Sequence, residues 1–316
     1  MSEAAESDEI PLPEPRSNRP VTIAHRAEFL LALALGAFFR LVGIDAASAI
    51  AGKFTRMVGP LISPIQHRGR VNLKIAFPDM PDSEAAAILR DVWENLGRTT
   101  AEFAHLAMFD PETDPCRVEI VGRERLQAIA QGGRPAIFVS GHFGNWEVMS
   151  IALHALGVDY GVIYRAANNP LIDGLIIKER ARVMSRRQIP KGKRGGRDMI
   201  DALKSGASLA MLVDQKLNTG GIASPFFGKP AQTAPAAARL SLKYDAPVIP
   251  IEIERLTGSR FRVSAHEPIE FRASGDVGAD TQALTDLINF EIEKMIRARP
   301  GQWLWLHRRW EKDAYR

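Results

Sequence analysis

Short apolar segments alternate with helical stretches from about residue 115 onward, and this alternation limits the possible folds more than any other feature of the sequence. The segments are Val118–Val121, Ala136–Ser140, Gly161–Tyr164, Ser208–Val213 and Val248–Ile253. Strands that alternate with helices usually form a parallel sheet whose faces the helices cover. We therefore predict an α/β fold with a mixed, mostly parallel sheet flanked by helices. No repeat or glycine-serine linker divides residues 61–316, which predicts one domain.

The chain before this domain has two parts of different character. Residues 1–20 are acidic and then rich in proline, a composition that predicts a disordered tail and does not match a secretory signal. Residues 21–60 contain the most apolar stretch, Phe29–Phe39, which as a helix would span about 16 Å, roughly half of a bilayer core. We predict that residues 21–60 form an N-terminal helical membrane-anchoring segment, either spanning or embedded. A buried core helix is the alternative.

The composition excludes several classes of protein. Of the 316 residues, 46% are apolar and 25% are charged, which is ordinary for a globular domain and not for a disordered or polytopic membrane chain. The net charge of +4 is too small to indicate a nucleic-acid partner. The single cysteine, Cys116, excludes an internal disulfide and a multi-cysteine metal site.

Polar residues follow the second apolar segment at the point where its strand is expected to end. Gly141 permits a tight turn after Ser140, and Asn145 can act as the N-cap of a following helix. In open α/β sheets, functional sites lie just beyond the carboxyl ends of the strands. The loop after Ser140 is therefore the first candidate for a site.

His142 and Glu147 are the side chains of this loop that can transfer protons. On one continuous helix they would point about 140° apart, but a turn through Gly144 would let both converge. A carboxylate that accepts from one ring nitrogen leaves the other free to take a proton from a hydroxyl, which predicts a general base. The alternative is a histidine in a turn and a glutamate that only complements a helix dipole. The GxSxG, HExxH and GxxxxGK[ST] motifs are absent from the sequence.

Positive charge is concentrated between Lys178 and Arg197, where nine basic residues are accompanied by one acid. The first part is predicted to be a helix capped by Asn169, and residues 190–197 are predicted to be a flexible basic loop that includes Arg194. Phosphates, anionic headgroups or an acidic carrier protein would be attracted to this charge. A solvated helix face is the alternative.

Three further polar residues directly follow other predicted strands. Arg165 follows the third apolar segment, and its planar guanidinium suits a phosphate or a developing oxyanion. Asp214 and Gln215 follow the fourth segment in the same manner. A surface salt bridge is the alternative for Arg165, and a turn cap is the alternative for Asp214.

The segment from Trp303 to Trp310 interleaves aromatic and basic residues. Behind an apolar N-terminal segment, this pattern favours an interfacial belt or an acyl-lipid contact. A partly buried core strand is equally compatible with it. The histidines other than His142, including His307, have no partner spacing that distinguishes them, and no metal site is predicted.

These segments together resemble the lysophospholipid acyltransferase superfamily and, within it, the late acyltransferases of lipid A biosynthesis, of the lauroyl/myristoyl type. The superfamily signature is a histidine, four residues and an acid, which matches His142 to Glu147. The other matches, in chain order, are Asn72–Asp79, Tyr164–Arg165, Asn169–Asp173, Asp214–Gln215, Pro225–Gly228 and Trp303–Arg309.

The resemblance implies an O-acyltransferase without a cofactor, which moves a fatty acyl chain from acyl carrier protein to a hydroxyl of a lipid A precursor of the Kdo-lipid IVA type. It assigns the base to His142 and its acidic partner to Glu147. We expect substrate-binding roles for Phe143, Gly144, Asn145, Arg165, Asn169, Arg194, Asp214 and Gln215. The expected partners are acyl carrier protein, a phosphorylated glycolipid acceptor and the cytoplasmic face of the bacterial inner membrane, and not nucleic acid.

Two other functions remain open from the sequence. The same chemistry could serve another membrane lipid acceptor, such as a glycerolipid, a mannosylated phosphoinositide or an ornithine lipid. A lipid-binding protein without turnover would retain the fold but make no use of His142 and Glu147.

Overall fold

The computed structural model describes residues 10–12 and 20–316, and the central feature of this part of the chain is a seven-stranded sheet. The described residues form nine strands, of which seven make up this sheet. In chain order they are β1 (Val118–Val121), β2 (Ile137–Ser140), β3 (Tyr160–Tyr164), β4 (Gln188–Pro190), β5 (Ser208–Leu212), β6 (Ile222–Phe226), β7 (Lys229–Thr233), β8 (Val248–Thr257) and β9 (Arg260–Ala265). The order in the sheet is β1-β9-β8-β2-β5-β3-β4, and β6 and β7 form a separate antiparallel pair.

Neighbouring strands of the sheet run parallel except for β8 and β9, which pair in antiparallel orientation. The prediction of a mixed, mostly parallel sheet is confirmed, and all five predicted strands are present. The apolar pattern does not reveal β4, which has only three residues, or β6 and β7, which contain Pro225 and Pro230. Proline removes a backbone donor and weakens the strand signal in a sequence.

The helices form the outer layers and an N-terminal extension. They are α1 (Ile23–Val42), α2 (Ile44–Val58), α3 (Ser63–Ala76), α4 (Asp82–Glu102), α5 (Arg123–Ala130), α6 (Glu147–Ala155), α7 (Pro170–Arg180), α8 (Lys193–Lys204), α9 (Ala236–Tyr244) and α10 (Val277–Ala298). Short 3₁₀ helices cover Gly59–Leu61, Phe103–Phe109, Pro300–Gln302 and Lys312–Tyr315. Helices α6, α8, α9 and α10 pack against strands of the main sheet.

The apolar N-terminal stretch is divided between two helices, because Gly43 at φ 78° ends α1 and precedes α2. Helix α2 packs along α4 and buries small residues, including Ala47, Ser48 and Ala51, whereas α1 has no buried residue. Within residues 10–12 and 20–316, no helix combines the length and the apolar character that a membrane crossing requires. Of the predicted tail, residues 1–9 and 13–19 lie outside the described residues.

The prediction of a flexible basic loop over residues 190–197 is wrong. Helix α8 begins at Lys193, so that Arg194 lies in its first turn and is exposed. The physical reason is the apolar face that follows, since Met199 and Leu203 pack against the core at helical spacing.

The segment from Trp303 to Trp310 is part of the core, so the prediction of an interfacial belt is wrong. Trp303 and Trp305 are fully buried, and their ring centroids lie 4.6 Å apart in an edge-to-face arrangement. The segment is also not a regular strand, because its only bridge joins Trp303 to Phe143 in the loop after β2. This buried aromatic segment is therefore hydrogen-bonded to the loop after β2.

Candidate active site

Two glycines shape the loop between β2 and α6. A Cβ atom at Gly141 would lie 2.7 Å from Cε2 of Phe143 and 3.2 Å from Oδ2 of Asp214, so a larger residue would displace one of them. Gly144 has φ +48°, a conformation that favours glycine. The chain therefore turns before α6, which begins at Glu147. The residue at the N-cap position is Trp146 and not Asn145, so the predicted N-cap is wrong by one position. The Asn145 side chain still accepts the backbone N–H of Glu147, at 3.2 Å.

His142 is held by the carboxylate of Asp214. Nδ1 of His142 lies 2.8 Å from Oδ1 of Asp214, and the His142 backbone N–H donates to Oδ2 at 2.8 Å. Because an ionised carboxylate only accepts, Nδ1 carries the proton and Nε2 keeps its lone pair. Nε2 of Gln215 lies 3.3 Å from Nε2 of His142, where its amide donates to that lone pair. Asp214 reaches His142 because β5 and β2 are parallel neighbours.

The environment of Asp214 favours its ionised form. The residue is fully buried, and Nε1–H of Trp303 donates to Oδ2 at 2.8 Å. Burial alone would raise the pKa of Asp214, but the charge and hydrogen bond of His142 outweigh it and hold that pKa well below its ordinary value. A fixed anion next to Nδ1 sets the tautomer of His142 and stabilises the imidazolium that forms when Nε2 takes a proton.

Glu147 has a different partner from the one expected. It is buried in the first turn of α6, and Arg180 donates to both of its oxygens, from Nε at 2.8 Å and from Nη2 at 2.5 Å. Burial of Arg180 is outweighed by the charge of Glu147, so that the pKa of Arg180 is raised. Asp214, and not Glu147, is thus the carboxylate that His142 contacts, which corrects the expected pairing. A catalytic role for Glu147 remains a prediction.

A pocket of about 230 Å³ lies over these groups. His142, Glu147 and Gln215 belong to its lining, together with apolar side chains of β3, β5 and α6. Its cationic lining consists of Arg165, Arg180 and Lys191. The pocket therefore offers a proton acceptor, positive charge and apolar surface in one place.

The other predicted site residues lie outside the pocket lining. Phe143 and Asn145 are buried residues of the loop itself, and the Gly144 carbonyl accepts hydrogen bonds from Asn95 and Thr99. Asn169 caps α7 as predicted, and its amide donates to the backbone oxygen of His25 in α1. Arg194 is exposed on α8 and does not line the pocket.

Two neighbours of the site are not singled out by sequence reasoning. Arg180 is one of many basic residues in its segment, and its pairing with Glu147 depends on the fold. His307 lies with its ring centroid 6.3 Å from that of His142, and neither ring nitrogen has a hydrogen-bond partner among the described residues. Burial lowers the pKa of His307 to about 4, against the opposing charge of Asp214. In the sequence, the signal that distinguishes His307 from the other histidines is its position within the tryptophan-rich segment from Trp303 to Trp310.

The arrangement can remove a proton from a hydroxyl that reaches Nε2 of His142. The oriented imidazole supplies the base, and the cationic lining can stabilise negative charge on a bound group. Within the described residues, no group of three or more His, Cys, Asp or Glu side chains is placed to hold a metal ion.

Comparison with known proteins gives a consistent set of similarities. A family model described as bacterial lipid A biosynthesis acyltransferase matches residues 16–312. The lipid A biosynthesis myristoyltransferase of Escherichia coli (strain K12) is 24% identical over 262 residues, which cover 81% of this chain and 78% of that protein. The lipid A biosynthesis lauroyltransferase of the same strain is 27% identical over 250 residues, 78% of each chain.

More distant similarities extend beyond the lipid A enzymes. The phosphatidylinositol mannoside acyltransferase of Mycolicibacterium smegmatis is 22% identical over 240 residues, 74% of this chain and 75% of that protein. Among solved structures, the 1-acyl-sn-glycerophosphate acyltransferase PlsC of Thermotoga maritima matches with a TM-score of 0.36 and 15% identity, over 88% of this chain and 99% of that chain.

Proposed function

The chain belongs to the bacterial lipid A biosynthesis acyltransferase family and is an acyltransferase, and on that premise we propose that it moves a fatty acyl chain from acyl carrier protein to a hydroxyl of a lipid A precursor of the Kdo-lipid IVA type. The observation that carries the proposal is the His142–Asp214 pair at a pocket with a cationic lining. The base fits an alcohol acceptor, and the positive charge fits the phosphates of such a lipid.

In the proposed reaction, Nε2 of His142 takes the proton of the acceptor hydroxyl while its oxygen attacks the carbonyl carbon of the acyl thioester. Asp214 stabilises the imidazolium that forms. The C–S bond of the tetrahedral intermediate then breaks, and the imidazolium returns the proton to the departing thiolate. The products are an ester and the free thiol of the carrier, so that no acyl-enzyme is needed.

We assign Glu147 the role of fixing Arg180 in the pocket. Glu147 binds Nε and Nη2 of Arg180 and does not engage Nη1. A guanidinium held in this way can donate to the carbonyl oxygen as it becomes negative or to an acceptor phosphate. This role differs from direct pairing with His142 but keeps Glu147 essential for the reaction.

The basic surface beside the pocket supports an acidic carrier protein as the donor. Its exposed cations lie on α7, on α8 and just after α7: Lys178, Arg182, Arg194 and Arg197. Attraction between such a surface and an acidic partner speeds association and weakens with salt. We therefore place Arg194 in partner binding, outside the pocket.

The surface of α1 and α2 supports docking on the cytoplasmic face of the inner membrane. Large apolar side chains are exposed there, with Leu41 at 84%, Met57 at 69% and Phe54 at 58%. Exposed cations, Arg26 and Lys53, belong to the same two helices. Helices that expose both large apolar and basic side chains fit the headgroup region of an anionic bilayer.

The proposed reaction is tested with purified protein, a panel of acyl–acyl carrier protein thioesters and a lipid A precursor. We expect one acyl chain to be added to the glycolipid and the product to be absent with His142→Ala. Lysophosphatidic acid and a phosphoinositide mannoside serve as alternative acceptors. Transfer to one of these and not to the lipid A precursor would refute the acceptor class, and no transfer to any acceptor would refute the reaction.

Membrane docking is tested by sedimentation with vesicles of phosphatidylethanolamine and phosphatidylglycerol. Leu41→Glu with Phe54→Glu should release the protein from the vesicles. Val277→Glu is the matched control, because Val277 is 74% exposed on α10. Equal binding of the two variants would refute docking through α1 and α2.

A further inference from the structure

The loop that carries His142 is hydrogen-bonded to side chains of α4 as well as to Asp214. The Gly144 carbonyl accepts from Nδ2 of Asn95 at 2.8 Å and from Oγ1 of Thr99 at 2.9 Å. Nδ2 of Asn145 donates to Oε2 of Glu102 at 3.0 Å. Because Gly144 has a left-handed conformation, the loop cannot satisfy this carbonyl within regular secondary structure. Three side chains of one helix thus fix two successive residues of the loop.

These contacts depend on a buried ion pair. Glu102 is fully buried, and Arg255 of β8 donates to both of its oxygens, at 2.5 and 3.0 Å. Nε of Arg255 also donates to Oδ1 of Asn95 at 2.8 Å. Since that oxygen is occupied, the amide nitrogen of Asn95 must face the Gly144 carbonyl. Glu102 orients Arg255, Arg255 orients Asn95, and Asn95 binds the loop.

The composition of this cluster indicates a role other than stability. A buried ion pair is costly to desolvate, and an apolar replacement of similar volume is often at least as stable. Asn95, Thr99 and Glu102 follow one another at spacings of four and three, so they lie on one face of α4, where apolar residues would serve a core. Here the face is polar, and its hydrogen bonds end on the loop that carries His142.

We infer that four side chains linked to this loop are positioning residues for the reaction: the buried Asn95, Thr99 and Glu102 and the partly buried Arg255. The inference rests on the proposed role of His142 as the base. His142 lies two residues before Gly144, so a shift of that carbonyl moves the imidazole relative to the pocket. A displacement of about 1 Å at a reacting group can lower the rate by about 100-fold. None of the four side chains belongs to the pocket lining.

The test removes both donors to the Gly144 carbonyl with Asn95→Ala and Thr99→Val in one chain. The matched control is Ser48→Ala, because the Ser48 hydroxyl donates to Oε1 of Glu102 at 2.7 Å but does not touch the loop. We expect the double variant to lose at least tenfold in kcat with KM for both substrates within twofold of wild type. Ser48→Ala should keep the wild-type kcat.

Hydrogen exchange of the peptide covering residues 141–147 provides a readout that does not depend on activity. We expect faster exchange in the double variant and wild-type exchange in Ser48→Ala. If the double variant does not fold, Thr99→Val alone is measured in the same way, with a threefold loss of kcat expected.

Two outcomes would overturn the inference. One is a folded variant whose kcat and loop exchange equal those of wild type, and the other is a Ser48→Ala variant that loses as much kcat as the double variant. A wild-type chain without acyl transfer would instead refute the proposed function. In that case, the exchange measurement still decides whether these side chains hold the loop.

Discussion

Replacing Asp214 by asparagine should abolish most of the activity without removing any side-chain volume. Oδ2 of Asp214 accepts two N–H groups, from the His142 backbone and from Trp303, while Oδ1 accepts only from Nδ1 of His142. An asparagine satisfies the larger number of donors by placing its oxygen at the Oδ2 position. Its amide group then faces Nδ1, which becomes an acceptor. The proton of the imidazole moves to Nε2, and the base is blocked.

The size of the effect follows from the loss of the base. General-base catalysis contributes roughly 10²- to 10⁴-fold, and the same asparagine substitution in a hydrolase triad costs about 10⁴-fold. We therefore expect kcat for Asp214→Asn to fall by roughly 10³- to 10⁴-fold, about 4 to 5.5 kcal/mol of activation free energy. KM should change little, because the pocket lining is unchanged.

The assay is transfer of an acyl chain from acyl carrier protein to the lipid A precursor, with initial rates at saturating donor. Asp280→Asn is the matched control, since Asp280 is a buried carboxylate that accepts two backbone N–H groups far from the site in sequence. It should keep wild-type kcat. An Asp214→Asn enzyme that folds and retains kcat within about tenfold of wild type would refute the reasoning.

Three further predictions concern the surroundings of this pair. Gly141→Ala places a methyl group against the Phe143 ring, and we expect kcat to fall by about 10- to 100-fold, measured in the same assay. Arg180→Lys keeps the charge but not the two bonds to Glu147, so kcat/KM should fall by roughly 10- to 100-fold, and a value within twofold of wild type would contradict this. His307 has a folded pKa of about 4, below its unfolded value near 6.5, so the unfolded chain binds more protons between these pH values and stability falls as pH drops. Through His307, wild type should lose about 3 kcal/mol of its free energy of unfolding between pH 7 and pH 4, and His307→Phe should not show this loss. Urea unfolding at both pH values measures it, and a pH dependence that the substitution leaves unchanged would contradict the prediction.

The sheet could be predicted because its central strands carry their signal locally. Strands β2 and β5 are short, continuous apolar runs between helices, which is typical of buried parallel strands. The antiparallel end of the sheet could not be predicted in this way. Strand β9 alternates polar and apolar residues, and its position between β8 and β1 includes a pairing with β1 that joins distant parts of the chain.

The candidate site was predicted in position but not in its pairing. The loop after β2, His142, Arg165 and Gln215 meet at the pocket, as their places at strand ends indicate. The pairing of Asp214 with His142 depends on β2 and β5 being neighbours in the sheet, although about 70 residues separate them in sequence. A spacing argument within the loop could offer only Glu147 as the partner.

The N-terminal region shows the same limit. Its apolar character was evident, but the break at Gly43 and the packing of α2 on α4 follow from contacts with later helices. The buried face of α4 that holds the Gly144 carbonyl gave no signal either, since Asn95, Thr99 and Glu102 look like solvent-facing residues in a sequence.

The central claim, that Asp214 orients His142 as a base, is tested most directly by ¹⁵N NMR of the chain labelled at histidine. At a pH where His142 is neutral, we predict a protonated Nδ1 and an unprotonated Nε2 for wild type and for Glu147→Gln, and the opposite tautomer for Asp214→Asn. A wild-type imidazole protonated at Nε2, or a tautomer that changes with Glu147→Gln and not with Asp214→Asn, would contradict the account.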